Sequence, residues 1–232
     1  MKTSTLVVAA ALTALGSGSA CSHGGTTASA GTINEQWLAR VPEGELQGVE
    51  EARAGERKAR DELVRARSEQ TDAQNMLKVT KAHQEKAKAG VAAAESKAKA
   101  AQKSGNAALL QQSRDNVDRA NEMKSVSDSR VELAQAKVEE ANAHEKLASA
   151  HVDTEHSKTE LAEYDALVAN GDTRVKNMHR ANFQATEAQK RSDELALKAE
   201  YSKSQERVAE AQKKYDEARS TLQASQPTPP AG

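Results

Sequence analysis

The chain has 232 residues, of which 29% are charged and only 2% are aromatic. Aromatic rings supply much of the buried area of globular cores, roughly 150–250 Å² each, so this composition excludes a conventional globular domain. Few Gly and Pro residues, with abundant Ala, Glu, Lys, Gln and Arg, are typical of long helices and coiled coils. The net charge is −1 and both signs are mixed along the chain. No nucleic-acid partner is therefore expected, because phosphate neutralisation needs clustered Lys and Arg.

The first 20 residues have the organisation of an export signal. Lys2 provides a positive start, and the apolar run from Leu6 to Leu15 has ten residues. That run is too short to cross a bilayer, which takes about 20 residues. Small residues follow at 16–20, and the only cysteine of the chain, Cys21, comes next. We therefore predict that residues 1–20 are a signal peptide.

The position of Cys21 resembles the signal of bacterial lipoproteins, in which the cysteine after the lipobox is acylated and becomes the new N-terminus. Ala20 and Ser19 match the two lipobox positions before the cysteine, and Gly18 stands where the family usually has Leu. The resemblance implies lipid attachment at Cys21 and, from Ser22, sorting to the inner leaflet of the outer membrane, facing the periplasm. The alternative is ordinary cleavage after Ala20, which leaves a free thiol and a soluble periplasmic chain.

The two ends of the mature chain have compositions of their own. Residues 22–31 are almost all small and polar, so 21–41 is expected to form the lipid-attachment cysteine and a flexible tether. Three prolines lie near the C-terminus, so 225–232 is expected to be a disordered Pro-rich tail. The segment between them, 42–224, is predicted to be an Ala-rich helical coiled coil.

Turn signals divide this coiled coil into helices near 43–103, 107–169 and 172–224. Ser104-Gly105-Asn106 and Asn170-Gly171-Asp172 each combine a Gly that ends a helix with a residue that caps the next one. Alternate steps of four and three from Ala52 to Ala101 meet fifteen positions, eleven of them apolar, which predicts a left-handed coiled coil.

The other two stretches carry their own apolar stripes. The second stretch has two stripes, as a middle helix with two neighbours would. In the third stretch, the predicted seam slips in register near Leu197. Its members are Met178, Ala181, Ala185, Ala188, Leu195 and Ala199, then Tyr201, Val208, Ala211, Tyr215, Ala218 and Leu222.

We predict an all-α fold, a long antiparallel coiled coil in the form of an up-down-up three-helix bundle, because short turns make neighbouring helices antiparallel. The alternative keeps only the first hairpin and docks the third stretch on another copy of the chain.

No catalytic, cofactor-binding or metal site is predicted. A helical zinc site needs ligands three or four residues apart on one face, whereas His144 and His151 are seven apart, and Glu155 and His156 lie at different angles from His151. We interpret the histidines as solvated surface residues. They are His23, His83, His144, His151, His156 and His179. No hydrolase, nucleotide-binding or zinc motif occurs, so neither enzyme activity nor a small-molecule substrate is expected.

Trp37 is the most distinctive single residue. With Ile33, Leu38 and Val41 it forms a small apolar cluster before the first long helix. We interpret Trp37 as a cap packed on the end of the bundle. The alternative is an exposed anchor for a partner, since Trp is enriched among interface hot spots.

These observations predict a non-enzymatic lipoprotein of the cell envelope, acting as a structural or scaffolding rod. Membrane lipid would hold it through acylated Cys21, and its coiled-coil faces would bind envelope proteins or further copies of itself. One alternative is a soluble periplasmic binding module or holdase chaperone. Another is an adaptor of an export or efflux machine, although the strand-rich segments that usually flank such helical hairpins are missing from the pattern.

Overall fold

The computed structural model describes residues 33–225, and its long helices are α1 (Gln47–Ser104), α2 (Ala107–Ala169) and α3 (Arg180–Ala224). Short 3-10 helices lie at Glu35–Arg40, Glu43–Glu45 and Thr173–Val175. Residues 33–225 contain no strand. The predicted all-α three-helix bundle is confirmed, and the third helix packs on α2 of the same chain.

The helix α2 is the middle layer of an elongated bundle. It packs along α1 on one side and along α3 on the other, whereas α1 and α3 hardly touch each other. The connection from α1 to α2 is tight: Gly105 takes the left-handed φ of 68°, and Asn106 Oδ1 accepts a hydrogen bond from the Leu109 amide at 3.1 Å. With 58 residues, α1 extends over about 87 Å at 1.5 Å per residue.

The predicted heptad of α1 is confirmed along its whole length. All fifteen seam positions from Ala52 to Ala101 are buried or half-buried, and every other residue between Arg57 and Ala100 is exposed. Polar seam residues make hydrogen bonds to α2, with Gln70 donating to Asn142 and Gln84 to Asp128, both at 2.8 Å. The small alanines let α1 and α2 approach closely, and the side-chain amides of Gln70 and Gln84 help to fix the register between the two helices.

The two stripes of α2 face the two neighbouring helices, as expected. Val131, Ala134, Ala141 and Ala148 of the first stripe are buried, as is Leu133 of the second. Val168, which the apolar pattern also placed in the second stripe, is exposed, whereas the adjacent Leu167 is fully buried.

The predicted seam of α3 is wrong in its first half. Ala181, Ala185, Ala188, Leu195 and Ala199 are exposed. The observed seam is an unbroken heptad without a register slip, and several of its members are polar. It comprises Phe183, Glu187, Lys190, Glu194, Leu197, Tyr201, Ser204, Val208, Ala211, Tyr215, Ala218 and Leu222.

Contacts with polar side chains of α2 explain two of the polar positions of this seam, Lys190 and Glu194. Lys190 Nζ lies 2.9 Å from Asp153 Oδ2, and Glu194 Oε1 lies 3.0 Å from His151 Nδ1. Apolarity alone therefore selected the wrong face of α3, because these charged seam residues have partners on α2.

Two further segments differ from the sequence expectation. Residues 33–41 were assigned to a flexible tether, but Glu35–Arg40 form a 3-10 helix, and Ile33, Leu38 and Val41 are buried. The third helix begins at Arg180, eight residues after the predicted start, because Asp172 caps the short 3-10 helix Thr173–Val175 instead. Val175 then fills the core at this end of the bundle.

Candidate interaction site at the basal end

Both corrected segments meet at one end of the bundle, where α1 begins and α2 passes to α3. We call this the basal end and its apolar core the basal cluster. The buried members of the cluster are Ile33, Leu38, Val41, Val49, Tyr164, Ala166, Leu167, Val175 and Phe183. Phe183 is only 1% exposed, and its ring stacks on Tyr164 with centroids 5.0 Å apart. With Trp37 packed against it, the cluster therefore brings together three of the five aromatic residues of the chain.

Trp37 packs on the outer side of this cluster and is only partly buried. The guanidinium carbon of Arg174 lies 5.2 Å from the centre of the Trp37 ring, within the range of a cation–π contact. Trp37 thus caps the basal end and leaves part of its ring accessible. Whether it also anchors a partner stays a prediction.

Arg174 is held over the ring by Asp172. Its Nε donates to Asp172 Oδ1 at 2.9 Å, and its backbone N–H donates to the same atom at 2.9 Å. These hydrogen bonds from Arg174 lower the pKa of Asp172 from 3.8 to about 2. The α2–α3 turn, the Trp37 ring and the basal cluster therefore form one connected arrangement.

A charged cleft of about 410 Å³ opens between α1 and α2 next to the basal cluster. Arg53 donates to Glu163 Oε1 at 2.8 Å and to Glu35 Oε1 at 3.4 Å, and the hydrogen bond to Glu163 raises the pKa of Arg53. The Glu163 side chain is only 9% exposed, so this carboxylate depends on Arg53 for compensation.

Glu56 is the second acidic residue held within this cleft. Arg60 donates to Glu56 Oε1 at 2.5 Å, and His156 Nδ1 lies 3.3 Å from the same oxygen. Burial alone would raise the pKa of Glu56, but the Arg60 hydrogen bond and the His156 charge outweigh it and leave this pKa below its usual 4.5. The cleft is therefore lined by acids and bases that already compensate one another.

His144 and His151 of α2 are half-buried and not the solvated residues that we expected from the sequence, whereas His83, His156 and His179 are exposed as expected. His144 Nδ1 lies 2.9 Å from Glu69 Oε2 of α1, and the ring stacks on Tyr201 of α3 at 5.1 Å. His151 likewise contacts Glu194 of α3. Since a carboxylate only accepts, Nδ1 is the donating nitrogen in both contacts. Sequence analysis missed these contacts because each carboxylate lies more than 40 residues from its histidine.

Within residues 33–225, no group of three His, Cys, Asp or Glu side chains could hold a metal ion. In the same residues, no helix is both long enough and apolar enough to cross a membrane. Cys21 and His23 lie outside the described part of the chain. No known protein family, curated protein or solved structure matches the chain significantly.

Proposed function

We propose that the chain is a non-enzymatic, lipid-anchored scaffolding rod of the bacterial cell envelope. The supporting observation is the position of Ile33, which is buried in the basal cluster. Only eleven residues, 22–32, separate Ile33 from Cys21. An acyl chain on Cys21 would therefore hold the basal end close to the membrane.

The geometry of the bundle suits this role. The α1–α2 turn at Gly105 lies at the far end of α1, about 87 Å from its start. A basally anchored rod thus presents long helical faces to partners. The accessible part of the Trp37 ring offers a second contact point near the anchor, and Trp is a frequent hot-spot residue in protein interfaces.

Intact mass spectrometry of the mature N-terminal peptide tests the anchor. We expect a peptide beginning at Cys21 that carries acyl mass and is recovered from the membrane fraction. The Cys21→Ser variant should lose this mass and leave the membrane fraction. A Ser22→Ala variant is the matched control, since it changes the neighbouring hydroxyl and should remain acylated.

An unmodified Cys21 peptide in the soluble fraction would contradict the proposed anchor. That result would favour the alternative of a soluble periplasmic binding module or holdase. Suppression of aggregation of an unfolded client by the purified chain would then be the measurement to make.

A further inference from the structure

The two halves of α1 differ sharply in their basic residues. Between Gln47 and Leu77, the sequence contains five Arg, one Lys and seven acidic residues. Between Lys78 and Ser104, there are seven Lys, no Arg and only two acids, Glu85 and Glu95. The second half therefore carries a net charge of +5, although the whole chain carries −1. We call Lys78–Lys103 the lysine segment.

Three of the five arginines of the first half, Arg53, Arg60 and Arg67, have carboxylate partners within the bundle. Arg53 pairs with Glu163 at 2.8 Å, and Arg67 pairs with Glu145 at 3.3 Å. These contacts cross from α1 to α2 and hold the two helices together. The positive charge of the first half is thus partly compensated inside the molecule.

The lysine segment has little compensation of this kind. All seven of its lysines are exposed. Within residues 33–225, only Lys88 has a carboxylate within 4 Å, that of Glu85 at 2.8 Å. The segments 1–32 and 226–232 contain no Asp or Glu, so they add no acidic side chain. The segment therefore presents six lysines that have no carboxylate of the described residues within 4 Å, along about 38 Å of helix.

We propose that the lysine segment docks on an anionic phospholipid surface. Lysine is a compact point charge on a flexible stem, which suits a diffuse array of phosphates better than a single shaped site. Each basic residue close to an anionic membrane adds to its attraction. The proposal rests on charge complementarity alone and does not depend on acylation of Cys21.

The side chains between the lysines support a surface contact without insertion. Ala82, Ala89, Ala93 and Ala100 are exposed there, and their short side chains do not project beyond the lysine ammonium groups. Val79, which is 52% exposed, is the one large apolar side chain exposed on the lysine segment. Burial of apolar area would therefore contribute little, and the binding should be lost at high salt.

Other polyanions fit this surface less well. Proteins that bind single-stranded nucleic acid stack bases on aromatic rings, and base-edge recognition in duplexes commonly uses Arg. The lysine segment has neither Arg nor Phe, Trp or Tyr. A second copy of the chain would need a free acidic face. The most acidic stretch, 139–165, has eight carboxylates and two lysines, but five of these carboxylates already pair with basic residues of α1 or α3, namely Glu139, Glu145, Asp153, Glu163 and Asp165.

Vesicle flotation of the full chain carrying Cys21→Ser tests the proposal. Vesicles of phosphatidylcholine alone are compared with vesicles that also contain phosphatidylglycerol. A distal variant removes four charges from the lysine segment, and a control variant removes four elsewhere. The distal variant carries Lys86→Gln, Lys97→Gln, Lys99→Gln and Lys103→Gln, and the control carries Lys176→Gln, Lys198→Gln, Lys203→Gln and Lys214→Gln. Both have the same net charge, and the N-terminal apolar run contributes equally to each.

We expect the distal variant to lose at least about tenfold of its binding to anionic vesicles, and the control less than about twofold. Replacing the same four distal lysines by Arg should preserve binding. Raising the salt concentration should release the unsubstituted chain, which tests the electrostatic origin without any substitution. Circular dichroism should show unchanged helix content in every variant.

Three results would overturn the proposal. Equal losses in both variants would mean that net charge alone governs binding. Equal binding to the two kinds of vesicle would mean that lipid phosphate charge plays no part. The third result is tighter binding to duplex DNA than to vesicles, or self-association in solution, lost in the distal variant but not in the control. It would assign the lysine segment to a nucleic acid or to a second copy of the chain.

Discussion

The basal end of the bundle and its distal half, which ends at the α1–α2 turn, differ in the size and burial of the side chains that pack between the helices. The basal end buries Leu, Val and aromatic side chains, with Leu167 fully inaccessible and Phe183 1% exposed. In the distal half, the seam of α1 from Ala87 to Ala98 is only half-buried. Large buried side chains each stabilise a fold by about 1.5–3 kcal/mol, whereas one buried methyl group contributes about 0.8 kcal/mol. Stability is therefore concentrated at one end, and the rest of the rod depends on length.

Loss of a basal aromatic side chain should have the largest effect. Phe183→Ala should lower the free energy of unfolding by about 3–5 kcal/mol, because it removes a buried ring and leaves a cavity. The half-buried Val91→Ala in the distal seam should cost only about 1 kcal/mol. Urea unfolding followed by circular dichroism measures both values. Equal losses in the two variants would contradict the concentration of stability at the basal end.

Overpacking of the alanine seam should have the next largest effect, and it should depend on position. Ala66 is 0% exposed, so Ala66→Leu should cost about 1–3 kcal/mol through strain. Ala94 instead lines an open groove of about 690 Å³ in the distal hairpin, so Ala94→Leu should be nearly neutral. Thermal melting of the two variants makes this comparison. A larger loss for Ala94→Leu would mean that the distal seam is the tighter one.

A glycine within α1 offers a smaller, stabilising change. A Cβ on Gly90 would meet nothing within 4 Å, so Gly90→Ala should raise the free energy of unfolding by roughly 0.5–1 kcal/mol through helix propensity. A Cβ on Gly55 would lie 2.5 Å from Glu155 Oε2, so Gly55→Ala should gain less. Urea titrations of both variants measure the two gains in the free energy of unfolding. A greater gain for Gly55→Ala than for Gly90→Ala would contradict this expectation.

The smallest expected effect is a local one, on the acid–base behaviour of the α2–α3 turn. Arg174→Gln should return the pKa of Asp172 from about 2 towards 3.8, measured by carboxyl NMR. Because the folded-state pKa is the lower one, the contribution of Asp172 to stability is complete above pH 3.8 and is lost as the pH falls through about 2. Arg180→Gln, which removes the partner of Asp165, should leave the pKa of Asp172 unchanged.

The sequence predicted most of the fold because its strongest signals are local. The heptad of α1 and the Gly105–Asn106 turn depend on neighbouring residues only. The seam of α3 failed because Lys190 and Glu194 are polar, and only their partners Asp153 and His151 explain their burial. Hydrophobic periodicity does not detect a seam held by long-range ion pairs.

The candidate sites were less predictable for the same reason. The cluster around Trp37 was visible in the sequence, but its contacts with Tyr164, Val175 and Phe183 join segments more than 100 residues apart. The lysine segment was overlooked because we took both signs of charge to be mixed along the whole chain, which is wrong for 78–104, where seven lysines stand against two acids. The structure adds that all seven lysines are exposed and that three arginines of the first half pair with carboxylates.

The short α1–α2 connection also has a consequence for the kinetics of folding. Gln84 and Asp128 are 44 positions apart, and Gln70 and Asn142 are 72 apart, so contacts become more distant in sequence with distance from the turn. Ile33 and Phe183 of the basal cluster are 150 positions apart. Since the entropic cost of closing a loop increases with its length, the contacts between α1 and α2 should form progressively from Gly105 towards the basal end. The segment that contributes most to stability is then the last to assemble, and a chain ending before Phe183 would leave Ile33, Leu38 and Val41 without a complete core.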